Sequence, residues 1–145
     1  FSSIIFGMLH LANPNSSPIS AINIAAAGLF LGLGFVLTGD LAVSIGLHIA
    51  WNFFQGNVFG FAVSGLNAGV SLIGINQGGP ELWTGGAFGP EAGMMGLLAL
   101  TLGSGLVYLW VQRTRGKAEL QERLAIYQLP AQPTLQPEKD VQVKE

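Results

Sequence analysis

Apolar residues fall into four runs along this chain, at 1–12, 19–37, 41–63 and 91–111, and the polar positions between them gather into turns. About 20 consecutive apolar residues cross a bilayer core as a helix. The run at 41–63 would cover roughly 34 Å at the standard helical rise and carries no formal charge. The run at 19–37 has only Ser20 and Asn23 as polar side chains, both near its start. Gly28, Gly32 and Gly34 give it a small-residue face that lets another helix approach closely.

Residues 1–12 are too few to span by themselves. They read as the end of a membrane helix that starts earlier, so the chain is expected to be the C-terminal part of a longer protein. The breakers Asn13-Pro14-Asn15-Ser16-Ser17-Pro18 end that helix, and Thr38-Gly39-Asp40 makes a tight turn between the next two. Residues 64–90 are rich in glycine and predict a loop, within which 66–75 forms a short interfacial or re-entrant piece. The run at 91–111 reads as the last span, with Glu91 in its first turn complementing the helix dipole.

Charge sharpens this picture. All 6 basic residues lie at or after Arg113, and the acids before that point are Asp40, Glu81 and Glu91, each near the end of an apolar run. A water-soluble surface of that length needs cations. The fold class expected is therefore all-α, a polytopic transmembrane helix bundle with a short soluble C-terminal tail and about four membrane segments. Residues 1–112 form the membrane domain and 113–145 the tail, in which 118–129 has helical composition and the remainder is disordered. Arg113, Arg115 and Lys117 follow the last span, so the C-terminus is expected to be cytoplasmic and the loop 64–90 external in a multi-pass protein of the cell membrane. There is no cysteine for a disulfide or a thiolate metal site. No glycine cluster leads into the Lys-Ser/Thr of a phosphate-binding loop. No nucleic acid partner is expected.

The chemistry lies in two of the apolar runs. The chain has 2 histidines, His10 and His48, and both sit among apolar residues. Ser44, His48 and Asn52 recur every four residues, which puts them on one face of a helix as a polar line continued by Gln55 or Gly56. Such a stripe turns away from lipid, towards a bundle interior or a water-filled cavity. One reading is two neutral imidazoles hydrogen-bonded across helices. A second is a Zn²⁺ site, for which His10 and His48 supply two ligands where a catalytic zinc takes three. A third has His and Asn donors stabilising an oxyanion while a carboxylate activates water. The last two require an acid at membrane depth. Asp40, Glu81 and Glu91 are all expected at helix ends, so the missing carboxylate is expected upstream of Phe1.

Phe6-Gly7-Met8-Leu9-His10, an intervening apolar helix, and then His48-Ile49-Ala50-Trp51-Asn52 resemble the FxxxH and HxxxN motifs of the CPBP family of intramembrane metalloproteases. This is the CAAX protease and bacteriocin-processing, or Abi, family. The run from Gly79 to Glu91 resembles a glycine-rich loop of its bacterial members, so the resemblance extends over about residues 1–112. It implies hydrolysis of a peptide bond in a membrane-associated protein or peptide, with His10, His48 and Asn52 as catalytic residues. It implies that His10 and His48 bind Zn²⁺, or that they assist a glutamate that activates water without metal. Phe6 is implied to be a packing residue beside the first histidine. The family's first motif, EExxxR, is absent from this chain. Two alternatives remain: a non-catalytic immunity or scaffold protein of the same fold, and part of a transporter whose polar stripe lines a permeation path.

Overall fold

The computed structural model describes residues 1–121 and Leu124, and within them the protein is helical with no strand. Five α-helices follow in order: α1 (Ser2–Leu9), α2 (Pro18–Thr38), α3 (Leu41–Asn52), the short α4 (Glu81–Thr84) and α5 (Met94–Arg115). Two of them, α2 and α5, are long and apolar enough to cross a membrane, while Ser2–Ala12 is a shorter apolar helix. The expectation of a single spanning helix at 41–63 is corrected. The run at 41–63 is not one helix: its α-helical part stops at Asn52 and continues as a π-helical turn, Phe53–Val58.

Helix α2 is the centre of packing, touching α1, α3 and α5. Its limits are written locally. Ser17 accepts from the Ser20 amide at 3.1 Å and the Ser20 hydroxyl accepts from the Ser17 amide at 2.7 Å, a reciprocal cap with Pro18 in the first turn. Gly39, at φ 70°, stops the other end in the left-handed conformation. Asp40 then caps α3 by accepting from the Ala42 amide at 2.9 Å.

Close approach depends on small residues. Gly7 of α1 lies against the Ala21 carbonyl and Ala25 of α2, and Gly28 lies against Ser3 and Phe6. Gly34 faces Val43 and Leu47 of α3, whereas nothing approaches Gly32. The expected small-residue face therefore serves two different neighbours and skips one position.

The polarity is arranged inside-out. Ile4, Met8, Ile22, Leu29, Ile45, Ile49, Leu102 and Leu106 are exposed, while Ser20, Asn23, Thr38, Gln55 and Glu91 are buried. In hydrocarbon that arrangement is the stable one, because apolar side chains lose nothing to lipid and polar groups must find partners inside. Phe30, Leu37, Leu100, Val107 and Val111 form the apolar seam between α2 and α5. Arg115 donates to the Thr38 carbonyl and the Gln121 amide to the Val36 carbonyl at 2.8 Å, so the end of α5 and the Thr38–Asp40 turn share one end of the bundle.

At the other end the chain is irregular. Residues 66–75, expected as a short interfacial or re-entrant piece, form no helix; the Leu72 and Ile73 amides pair with the Asn57 and Val58 carbonyls, both at 2.8 Å. Helix α5 starts at Met94, and Glu91 lies before it in a separate 3-10 turn, Pro90–Ala92. In the expected helix at 118–129, residues 118–121 are not helical. Its remainder, like the tail to residue 145, lies outside the described residues except for Leu124.

Candidate active site

Helix α3 runs antiparallel to α2, and the Ser44 hydroxyl donates to the Leu31 carbonyl at 2.7 Å, which fixes their register. One turn on, His48 comes level with the middle of α2. Asn52 follows on the same face one turn further. Ala27 and Leu31, which flank the midpoint of the 21-residue α2, line the same cavity as His48 and Asn52. The cavity is therefore about 15 Å from either end of that helix.

His10 reaches the same cavity from a helix that runs the same way as α3: Gly7 packs at Ala21 and Ala25 while Gly28 packs at Ser3 and Phe6, so α1 too is antiparallel to α2. This histidine follows α1, and helical side chains lean back towards the helix start. Its Nδ1 lies 2.7 Å from the Phe6 carbonyl oxygen. A carbonyl only accepts, so Nδ1 carries the proton, and in the neutral ring Nε2 keeps the lone pair. The Phe6 ring stands edge-on to both imidazoles, with centroids 4.5 Å from His10 and 5.8 Å from His48. Because α1 and α3 both run antiparallel to α2, His10 and His48 line one cavity against it.

That cavity measures about 30 Å³ and is lined by His10, His48 and Asn52 together with Phe6, Trp51, Ser64 and Glu91. A water needs about 10–15 Å³ by this kind of measure, so there is room for one or two waters and not for a peptide. Among the described residues the His48 and Asn52 side chains have no hydrogen-bond partner, unlike Ser44 and Gln55 on the same helical stripe. On the far side of Trp51 lies a second cavity of about 490 Å³, apolar, walled by Phe30, Leu47, Phe54, Phe59 and Phe61.

The acids are not all at exposed helix ends. Asp40 and Glu81 are exposed, but Glu91 is buried to 4 % exposure in the wall of the polar cavity. Its Oε1 accepts from the Ser64 hydroxyl at 2.6 Å and from the Ser64 amide; its Oε2 accepts from Gln55 Nε2 at 2.6 Å and Trp51 Nε1 at 3.5 Å. The sequence carried a signal for this in the density of glycines on both sides of a lone acid. One of them, Gly89, has φ 118°, and a side chain there would strike the Ala62 carbonyl.

No three His, Cys, Asp or Glu residues among those described come together to hold a metal ion. His10 and His48 alone fall one ligand short of a catalytic zinc site. The described residues therefore do not fit a resident zinc without a further ligand.

Residues 1–54 match the family described as "Type II CAAX prenyl endopeptidase Rce1-like". Neither the curated proteins nor the solved structures gave a match. The resemblance of the two histidine motifs to CAAX proteases thus stands, over a segment that takes in both histidines and Asn52. The glycine-rich run ending at Glu91 lies outside the matched residues.

Proposed function

We propose that this chain carries the His/His/Asn part of an intramembrane endopeptidase of the CAAX-protease type, acting on a peptide bond of a membrane-associated protein or peptide. The observation that carries this reading is the water-sized cavity midway along α2, lined jointly by His10, His48 and Asn52 within the matched segment. Hydrolysis at that depth needs a held water, a base and donors for the developing oxyanion. Nε2 of His10 accepts a hydrogen bond from the water and orients it. The Asn52 amide, with the His48 imidazole one turn before it, donates to the oxyanion. The base is a glutamate from outside these residues, as the family's EExxxR motif implies, and it passes the proton on to the leaving amine.

A zinc ion held by His10 and His48 would need its third ligand from that same outside segment. The apolar cavity beyond Trp51 suits the apolar groups that flank the scissile bond in a membrane-bound substrate. Arg113, Arg115 and Lys117 support a cytoplasmic placement of the end that holds Thr38 and Arg115.

The test is cleavage of a membrane-anchored reporter peptide by the full-length protein in proteoliposomes. His48→Ala and Asn52→Ala are expected to lose cleavage while inserting as the parent does. Cleavage at the parent rate by both would overturn the enzymatic reading in favour of a non-catalytic scaffold or immunity protein.

A further inference from the structure

Glu91 is a buried carboxylate for which the proposed reaction has no use. Its two oxygens accept four hydrogen bonds, two from Ser64 and one each from Gln55 and Trp51. A carboxylate offers about four lone-pair positions. All are taken by protein donors, so none is left over to deprotonate a water. It also forms no three-residue metal cluster with the histidines.

What those four bonds join is informative. Gln55 and Trp51 flank Asn52 in sequence, and Trp51 lines the polar cavity beside it. Gln55 uses its other amide hydrogen on the Ala62 carbonyl, at 2.6 Å. Ser64 faces the other way: its carbonyl accepts from Asn13 Nδ2 at 2.9 Å, three residues after His10. Ser64 itself sits at φ 48°, a left-handed conformation that a residue other than glycine adopts only when its surroundings hold it there. Here both its amide and its hydroxyl are held by Glu91. The neighbouring Gly65 packs on the Pro14 carbonyl so closely that a side chain would not fit.

From this we infer that Glu91 is the positioning residue of the site, fastening the turn after His10, through Ser64, to the helix end that bears His48 and Asn52, through Gln55 and Trp51. Its oxygens are committed to protein donors. It sets the spacing across the cavity, and its catalytic consequence rests on the proteolytic reading above.

Glu91→Gln keeps the shape and replaces one acceptor oxygen with a donor, which then opposes either Ser64 or the Gln55–Trp51 pair. A misplacement of about 1 Å typically costs on the order of 100-fold in rate. Glu91→Gln in the full-length protein is therefore expected to lower kcat by about that factor, with KM nearly unchanged, and Glu91→Asp to fall between it and the parent. The absence of cysteine permits a second readout that does not depend on activity. Cysteines placed at the exposed Pro14 and Leu66, joined by a short bifunctional thiol reagent, report whether the 13–17 turn and the 59–66 segment stay together. Glu91→Gln is expected to lower that cross-linking yield. Loss of cleavage with an unchanged yield would mean that Glu91 acts on the reactants, and parent behaviour in both assays would mean that it does nothing for the site; either result overturns the inference. If the parent itself cleaves nothing, the proteolytic reading fails, and a reduced yield in Glu91→Gln still upholds the fastening role.

Discussion

The stretch before Phe54 and the stretch after it build the same cavity by opposite means. Before Phe54 the side chains that face the cavity stand on α-helices whose backbones satisfy themselves, so His48 and Asn52 are left with hydrogen-bonding capacity to offer. After it, residues 59–93 hold little regular structure, and their polar groups are occupied in holding the fold: Gln55 on Ala62 and Glu91, Ser64 on Glu91, Gln77 on the Thr84 and Gly86 carbonyls at 2.8 and 2.9 Å. Irregular backbone at membrane depth persists only where such partners cover it. The polar side chains left without a partner at the cavity, His48 and Asn52, thus stand on regular helix, while those of the irregular stretch are committed to structure.

That contrast can be attacked at points of decreasing expected effect. Asn52→Ala should lower kcat by about 10²–10³-fold, the usual loss for one oxyanion donor, while thermal stability in detergent stays near the parent's; a large loss of stability instead would make Asn52 a structural residue like Gln55. Gly7→Val forces a side chain into the Ala21 carbonyl and Ala25. It should destabilise by about 1–3 kcal/mol and displace His10, whereas Gly32→Ala, with nothing within 4 Å, should stay within about 0.5 kcal/mol. Equal melting temperatures for the two glycine variants would contradict the α1–α2 contact. Between them in size, Ser44→Ala removes the bond to Leu31 and should cost about 0.6 kcal/mol without changing kcat. A kcat defect there would return Ser44 to the chemical part of the stripe.

Much of the first part was legible in the residues. An apolar run punctuated by Pro18 and Gly39 predicted α2 to within a residue at each end, and the four-residue spacing put His48 and Asn52 on one face. His10 was harder: its place beside His48 depends on how α1 packs along α2, with Gly7 at Ala21 and Gly28 at Ser3, which no spacing within the first twelve residues reports. Glu91 was misplaced because Pro90-Glu91 makes a plausible first turn for a helix. The chain instead uses that turn to carry the carboxylate inwards and begins α5 at Met94. Its partners, Gln55 and Ser64, lie 36 and 27 residues away. No local periodicity reports a pairing of that range.

The π-helical turn after Asn52 has a consequence for how this protein tolerates changes in length. The Phe59 amide reaches back five residues, to the Phe54 carbonyl at 2.9 Å, where an α-helix would reach back four. The turn is in effect one surplus residue wound into a helix. Removing one residue here would let the helix close in α register while the following segment keeps its facing, whereas a deletion within α3 would turn everything after it by about 100°. The tolerance of the turn is therefore for length rather than for side chains, since Gln55 holds Ala62 and Glu91 and a side chain at Gly56 would strike Val63.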